Sequence, residues 1–246
     1  MHRLTLIMAL AVSVSCTVKE DREDCPSILV LDMGAVKGEC TVSVKSEDGT
    51  FSLSGTVLGG TDELKVEVPA GRMIIDAVTG TGHDDGAVTI KEGDECPPVC
   101  MFRDTVDIAG YETRAEVLPH KSYCVINVRM TGDIPPDFVL RMSGNVCGLY
   151  AGGVPVSGTF SRMCVPDKYG RASVSVPRQK DSSLMIDVMS GSETRTFAIG
   201  NYMESAGYDW TSTDLDDMEV TINYTLTDMS VTISKWTGIA DNDVNI

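Results

Sequence analysis

Leu64-Lys65-Val66-Glu67-Val68 sets the pattern that decides the fold: apolar and charged side chains alternate one by one. A period of two sends one set of side chains into a core and the other into water, as in a half-buried β-strand. The rhythm returns in Thr41-Val42-Ser43-Val44-Lys45, Val125-Ile126-Asn127-Val128-Arg129-Met130, Ala172-Ser173-Val174-Ser175-Val176, Val220-Thr221-Ile222-Asn223-Tyr224 and Val231-Thr232-Ile233-Ser234. Ser27-Ile28-Leu29-Val30-Leu31 is continuously apolar, as a strand covered on both faces would be. Turn chemistry bounds these runs at Glu47-Asp48-Gly49, Pro69-Ala70-Gly71, Gly152-Gly153 and Lys168-Tyr169-Gly170. The spacing predicts about a dozen strands, the rhythm of sandwiches or barrels. Helical periodicity is nearly absent; one short helical turn is expected between Tyr202 and Gly207. The fold class is all-β.

A chain of 246 residues is long for one small sandwich and suits two domains of about 100 residues each. The best break is near Tyr111-Glu112-Thr113-Arg114, which gives a first domain over 25–113 and a second over 114–236, with a loose acidic tail over 237–246. The net charge of −16 repels phosphate backbones and anionic headgroups, so nucleic acid is not an expected partner.

The first fifteen residues read as an export signal. Met1-His2-Arg3 is a short basic stretch, and Leu4 to Val14 is an apolar run too short to span a bilayer, which takes about 20 residues. The run ends at Ser13-Val14-Ser15-Cys16, which resembles a bacterial lipobox and departs from it at Ser13, where leucine is commoner. Cys16 is therefore the expected lipid attachment site, and residues 16–24 a lipidated, flexible tether. Each buried methylene contributes about 0.8 kcal/mol, so the two or three acyl chains of such a cysteine suffice to hold a protein on a membrane. The charged run from Lys19 to Asp24 cannot pack into a core. Eight cysteines suit an oxidising compartment; without Cys16 seven remain, an odd number, and their connectivity is not legible.

Little in the chain points to catalysis. His83, in Gly80-Thr81-Gly82-His83-Asp84-Asp85-Gly86, sits in what reads as a polar hairpin turn, and His120 follows Pro119 at a strand start with no partner in sequence. There is no nucleophile elbow, no zincin helix and no phosphate loop. Cys96 and Cys100 have three residues between them, unlike a redox Cys-x-x-Cys pair, and no second pair completes a zinc site. Asp241-Asn242-Asp243 opens like a calcium loop but lacks the sixth-position glycine and distal glutamate. No catalytic residue, metal, cofactor or small-molecule substrate is expected.

The stretch from Cys16 through Arg22-Glu23-Asp24-Cys25-Pro26-Ser27 into Ile28-Leu29-Val30-Leu31 resembles the start of the FimB/Mfa2 family of fimbrial anchors of Bacteroidetes, in which a lipobox cysteine is followed by a charged stretch ending in an Asp-Cys-Pro-type motif. The closing segment is similar too: Ile199-Gly200-Asn201-Tyr202, then Tyr208-Asp209-Trp210, then a hairpin ending on Trp236. The resemblance implies two tandem transthyretin-like β-sandwich domains. It also implies an outer-membrane, surface-exposed position at the base of a fimbria that supports adhesion, and a fimbrillin stalk subunit as partner. Asp24, Cys25, Pro26 and Trp236 are its motif residues. An exposed sheet edge would hold that partner, because an added strand satisfies a row of unpaired backbone groups. The competing reading is a surface glycan-binding lipoprotein, which needs an exposed aromatic platform. Aromatic residues are only 6% of the chain, and Trp210 and Trp236 are expected to plug a sandwich.

Overall fold

The computed structural model describes residues 26–60, 63–80, 87–226 and 228–234. They form four sheets arranged as two facing pairs. In the first sheet β1 (Ser27–Asp32) lies between β4 (Glu63–Val68), antiparallel to it, and β8 (Glu112–Glu116), parallel to it. The second sheet is antiparallel throughout, in the order β3 (Ser52–Leu58), β2 (Glu39–Ser46), β5 (Gly71–Thr79), β7 (Cys100–Ile108) and β9 (His120–Lys121). Leu29, Leu31, Val42, Val44, Val66, Met73 and Ile75 meet between these sheets as one core. The continuous apolar run of β1 follows from its central position, where Leu29, Val30 and Leu31 are all buried.

The third sheet runs β12 (Val154–Cys164), β11 (Val139–Tyr150), β14 (Met185–Ser190) and β15 (Glu193–Phe197). The short β6 (Val88–Thr89) also pairs with β11. In the fourth sheet β10 (Tyr123–Thr131) lies between β13 (Arg171–Pro177), antiparallel, and β16 (Asp217–Asn223), parallel; β17 (Asp228–Ser234) closes the edge. Ile126, Val128, Leu140, Phe160, Val174, Ile186 and Val220 fill the second core. The two halves repeat one topology: the first long strand of the fourth sheet, like β1, has an antiparallel neighbour on one side and a parallel one, supplied from later in the chain, on the other. The expected helical turn is α1 (Ile199–Ser205).

The expected division at 113/114 falls inside β8. That strand is Glu-Thr-Arg-Ala-Glu, a polar edge strand held to β1 through its backbone, so no apolar alternation betrayed it. The chain instead crosses from the second sheet to the fourth at Ser122, between β9 and β10. The segment 88–99 adds a second link. Beyond β6, Ile90 N–H donates to Cys147 O, Gly93 N–H to Ser161 O and Cys96 N–H to Ser175 O, and Ile90, Cys96 and Val99 sink into the second core. Gly148 permits this docking, because a Cβ there would lie 2.4 Å from Val88 O. Gly148→Val is accordingly expected to lift the segment off β11 and to cost about 1–3 kcal/mol. A lowered urea midpoint with faster amide exchange over 88–99 is the expected result, and wild-type protection there would rule the contact unimportant.

Candidate functional site

Two features could engage a partner: a groove between sheet edges in the first half, and a cleft where the halves meet. The groove follows from the shape of β3. Among the described strands it pairs with β2 alone, and nearly all its side chains are exposed. Its apolar residues Leu53 and Val57 stand beside Leu64 and Val66 of β4, the edge of the facing sheet. Val42 and Val44 lie buried beneath, and the space between is about 190 Å³. Leu53 is 48% exposed. The groove is thus mostly apolar, and the strand beside it is a sheet edge, to which a further strand can be added.

The junction between the halves is held by polar groups. Lys121 is 1% exposed; its Nζ donates to Asp217 Oδ1 at 2.6 Å and lies 4.8 Å from the centre of the Tyr123 ring. Its backbone N–H donates to Asp214 Oδ1, and Asp217 Oδ1 also accepts the Val125 N–H. Two carboxylates just before and at the start of β16 therefore fix the start of the parallel strand β10. Arg178 follows β13 and reaches across the loop that leads into β16. Its guanidinium donates to the carbonyls of Trp210 and Ser212, both at 2.6 Å, of Thr213 at 3.0 Å and of Lys121 at 3.4 Å. Burial pulls its pKa down, and the charges of Tyr208, Asp214 and Asp209 oppose that shift.

Beside these contacts opens a cleft of about 590 Å³, walled by β7, the turn Ala151–Gly153, residues 178–180 and residues 210–213. Gly152 brings the turn onto β7. Its φ of +73° lies in the left-handed region, and a Cβ there would stand 2.9 Å from Arg103 Cβ.

The sequence-derived residues fall as follows. Cys16, Asp24, Cys25, His83, Trp236 and Asp241 lie outside the described residues. Pro26 is exposed and immediately precedes β1. His120 does have a partner, Asp214, whose Oδ2 lies 3.3 Å from its Nδ1. The nearby Ser122 hydroxyl donates to the His120 carbonyl rather than to the ring. Trp210 packs partly against the second core, its ring edge-on to Tyr208 with centroids 4.7 Å apart. Among the described residues no group of His, Cys, Asp and Glu is placed to hold a metal, and no helix is long and apolar enough to cross a membrane.

The six described cysteines, Cys40, Cys96, Cys100, Cys124, Cys147 and Cys164, are all free. Burial pushes the thiols of Cys96 and Cys124 up to about 12 and those of Cys40 and Cys164 to about 11, so they are small apolar core residues and poor nucleophiles. Native protein treated with iodoacetamide at about pH 8 is therefore expected to leave Cys40, Cys96, Cys100 and Cys124 unmodified, and denatured protein to alkylate all four. Peptide mass spectrometry reads this; rapid native labelling of Cys96 or Cys100 would contradict it.

No protein-family model matches the sequence, and no curated protein matches it. Solved structures do match in fold. The fimbrial anchor protein Mfa2 of Porphyromonas gingivalis superposes with a TM-score of 0.62 at 10% identity, over 86% of this chain and 98% of that one. A candidate polysaccharide-binding protein of Bacteroides thetaiotaomicron gives 0.66 at 8% identity, over 89% and 99%. A candidate adhesin of the same organism gives 0.58 at 14% identity, over 86% and 97%. At these identities the likeness is one of fold: this chain shares the all-β sandwich architecture of these proteins over nearly their whole length.

Proposed function

We propose that this chain is a fimbrial anchor subunit. In this reading Cys16 carries the lipid that holds it on the outer membrane, exposed at the cell surface, and a fimbrillin stalk subunit docks by β-strand pairing. The observation that carries the reading is the apolar groove between β3 and β4, flanked by β3, the edge of its sheet. An incoming strand would gain main-chain hydrogen bonds from β3 and bury alternate side chains against Leu53, Val57 and Leu64. The likeness to Mfa2 over almost all of that anchor's length supports the same role. Two tandem transthyretin-like sandwiches fit the repeated topology, and residues 16–24 would tether the first of them. Eight residues from Thr17 to Asp24 reach at most about 28 Å, at roughly 3.5 Å each, so the first half stays close to the membrane. Asp24, Cys25, Pro26 and Trp236 are the motif residues of this reading, the first three leading from tether to first strand. No catalytic residue, metal, cofactor or nucleic acid has a part in this function.

Leu53→Asp tests the docking mode. Leu53 is half in water, so a carboxylate there leaves the fold standing yet places an unpaired charge where the incoming strand would exclude solvent. Capture of fimbrillin from surface extracts is expected to fall at least about tenfold, with an unchanged urea midpoint. Undiminished capture would mean that the stalk docks elsewhere.

A second reading, a surface glycan-binding lipoprotein, is favoured by the likeness to a candidate polysaccharide-binding protein and by the cleft at the junction.

A further inference from the structure

The cleft between the halves reverses the charge of the rest of the molecule. The chain has 36 acidic and 20 basic residues, yet Arg103, Arg178, Lys180 and His120 line this cleft and no Asp or Glu does. The four groups differ in what they can offer. The guanidinium of Arg178 is committed to the four carbonyls of the junction. Arg103 is partly engaged: its side chain is 45% exposed, and its Nη1 pairs with Oδ1 of the buried Asp76 at 3.4 Å. Lys180 is exposed, and its ammonium donates to a neutral group, the Ser157 hydroxyl. His120 uses Nδ1 on Asp214 and keeps the other ring nitrogen. Trp210, Thr211 and Ser212 also line the cleft, next to Arg178, which donates to the carbonyls of Trp210 and Ser212.

We propose that this cleft binds an acidic saccharide, with the carboxylate of a uronic acid residue held by Arg103 and Lys180 and the sugar ring laid against Trp210. A carboxylate matches the fork of a guanidinium, and a charge-assisted contact of this kind is about twice as strong as a neutral one. The C–H face of a pyranose ring suits an aromatic wall, and the hydroxyls of Thr211 and Ser212, which donate to Asp209 and to the Asp214 carbonyl, can still accept from the sugar's hydroxyls. The net charge of −16 does not forbid the approach of an acid, because at physiological ionic strength charges more than about 8 Å away are largely screened. Closer in, Asp76 and Asp214 stand behind Arg103 and His120, outside the lining, so the charges that face the cleft itself are cationic. This binding is independent of the tethering role, since the cleft lies away from the groove between β3 and β4.

The test is calorimetry of the full chain in detergent with three probes of equal length: oligogalacturonate, a sulfated but carboxylate-free oligosaccharide, and a neutral maltooligosaccharide. Oligogalacturonate is expected to bind and the neutral chain not to bind, with affinity falling as salt is raised. Lys180→Ala and Arg103→Ala are each expected to weaken oligogalacturonate binding by at least about tenfold. Lys180 sits on an exposed loop, so its variant keeps the test valid even where loss of Arg103 beside Asp76 disturbs the fold. Arg129→Ala serves as a control, because Arg129 and Arg171 form a separate cationic pair on the open face of the fourth sheet. It is expected to change nothing. The proposal is overturned by equal binding of the neutral probe, by absence of oligogalacturonate binding, by binding of the sulfated probe alone, or by loss of binding in Arg129→Ala with Lys180→Ala intact. Fimbrial retention is measured separately, so failure here leaves the anchor reading untouched.

Discussion

Alanine in place of Arg178 is expected to lower the stability of the chain by about 3–5 kcal/mol, among the largest effects any single side chain outside the cores would have. The reason lies in what the guanidinium touches. The loop from Tyr208 to Leu215 must carry the chain from α1 to the start of β16, and three of its carbonyls, those of Trp210, Ser212 and Thr213, turn towards one point. The Lys121 carbonyl joins them from the other side of the junction and also accepts the Leu215 N–H. A planar group with five donors can serve all four; removing it leaves the carbonyls of Trp210, Ser212 and Thr213 with water as a substitute, while the Lys121 carbonyl keeps the Leu215 N–H. Lysine carries the same charge on a single point and cannot span the set, so Arg178→Lys should recover less than half of the loss. Urea denaturation of the two variants reads the difference. A full rescue by lysine would show that charge, rather than the fork of donors, organises the junction.

Much of the fold was legible because most strands have one wet face. Residues 64–68, 125–130 and 220–224 alternate in sequence and are found in β4, β10 and β16, with Val66, Ile126, Val128, Val220 and Ile222 in the cores. Strands escaped where the period breaks. The long β11 shifts register between Gly144 and Val146 and again between Val146 and Gly148, so its apolar side chains drift out of step. The polar β8 is held by its backbone and looked like a linker. The described residues accordingly contain seventeen strands rather than about a dozen.

The candidate sites were less legible, for a related reason. The groove exists because β3 and β4, neighbours in sequence, belong to facing sheets; no motif in Ser52–Leu58 states that. The junction depends on backbone carbonyls, which have no side-chain signature, and on a lysine that is buried although nothing in His120-Lys121-Ser122 foretells it. The cleft draws its cations from residues 103, 178 and 180, which are not neighbours in the chain. The cysteine count, by contrast, suggested more than it delivered. Six of the eight thiols are free within the described residues, four of them buried, and they behave as small apolar side chains.

The anchor reading makes its largest demand on Cys16. In that reading the lipid on this residue holds the molecule on the membrane; no described helix is long and apolar enough to cross a bilayer. Removing it should therefore convert a tether into a released protein without touching either core. The most direct measurement compares fimbrillin in the cell-bound and medium fractions of a strain lacking this gene, complemented with the wild-type chain or with Cys16→Ala. The expected result is that fimbriae polymerise in the deletion strain but are shed into the medium, that the wild-type chain returns them to the cells, and that Cys16→Ala does not. Normal cell-bound fimbriae in the deletion strain, or full re-attachment by Cys16→Ala, would contradict the account.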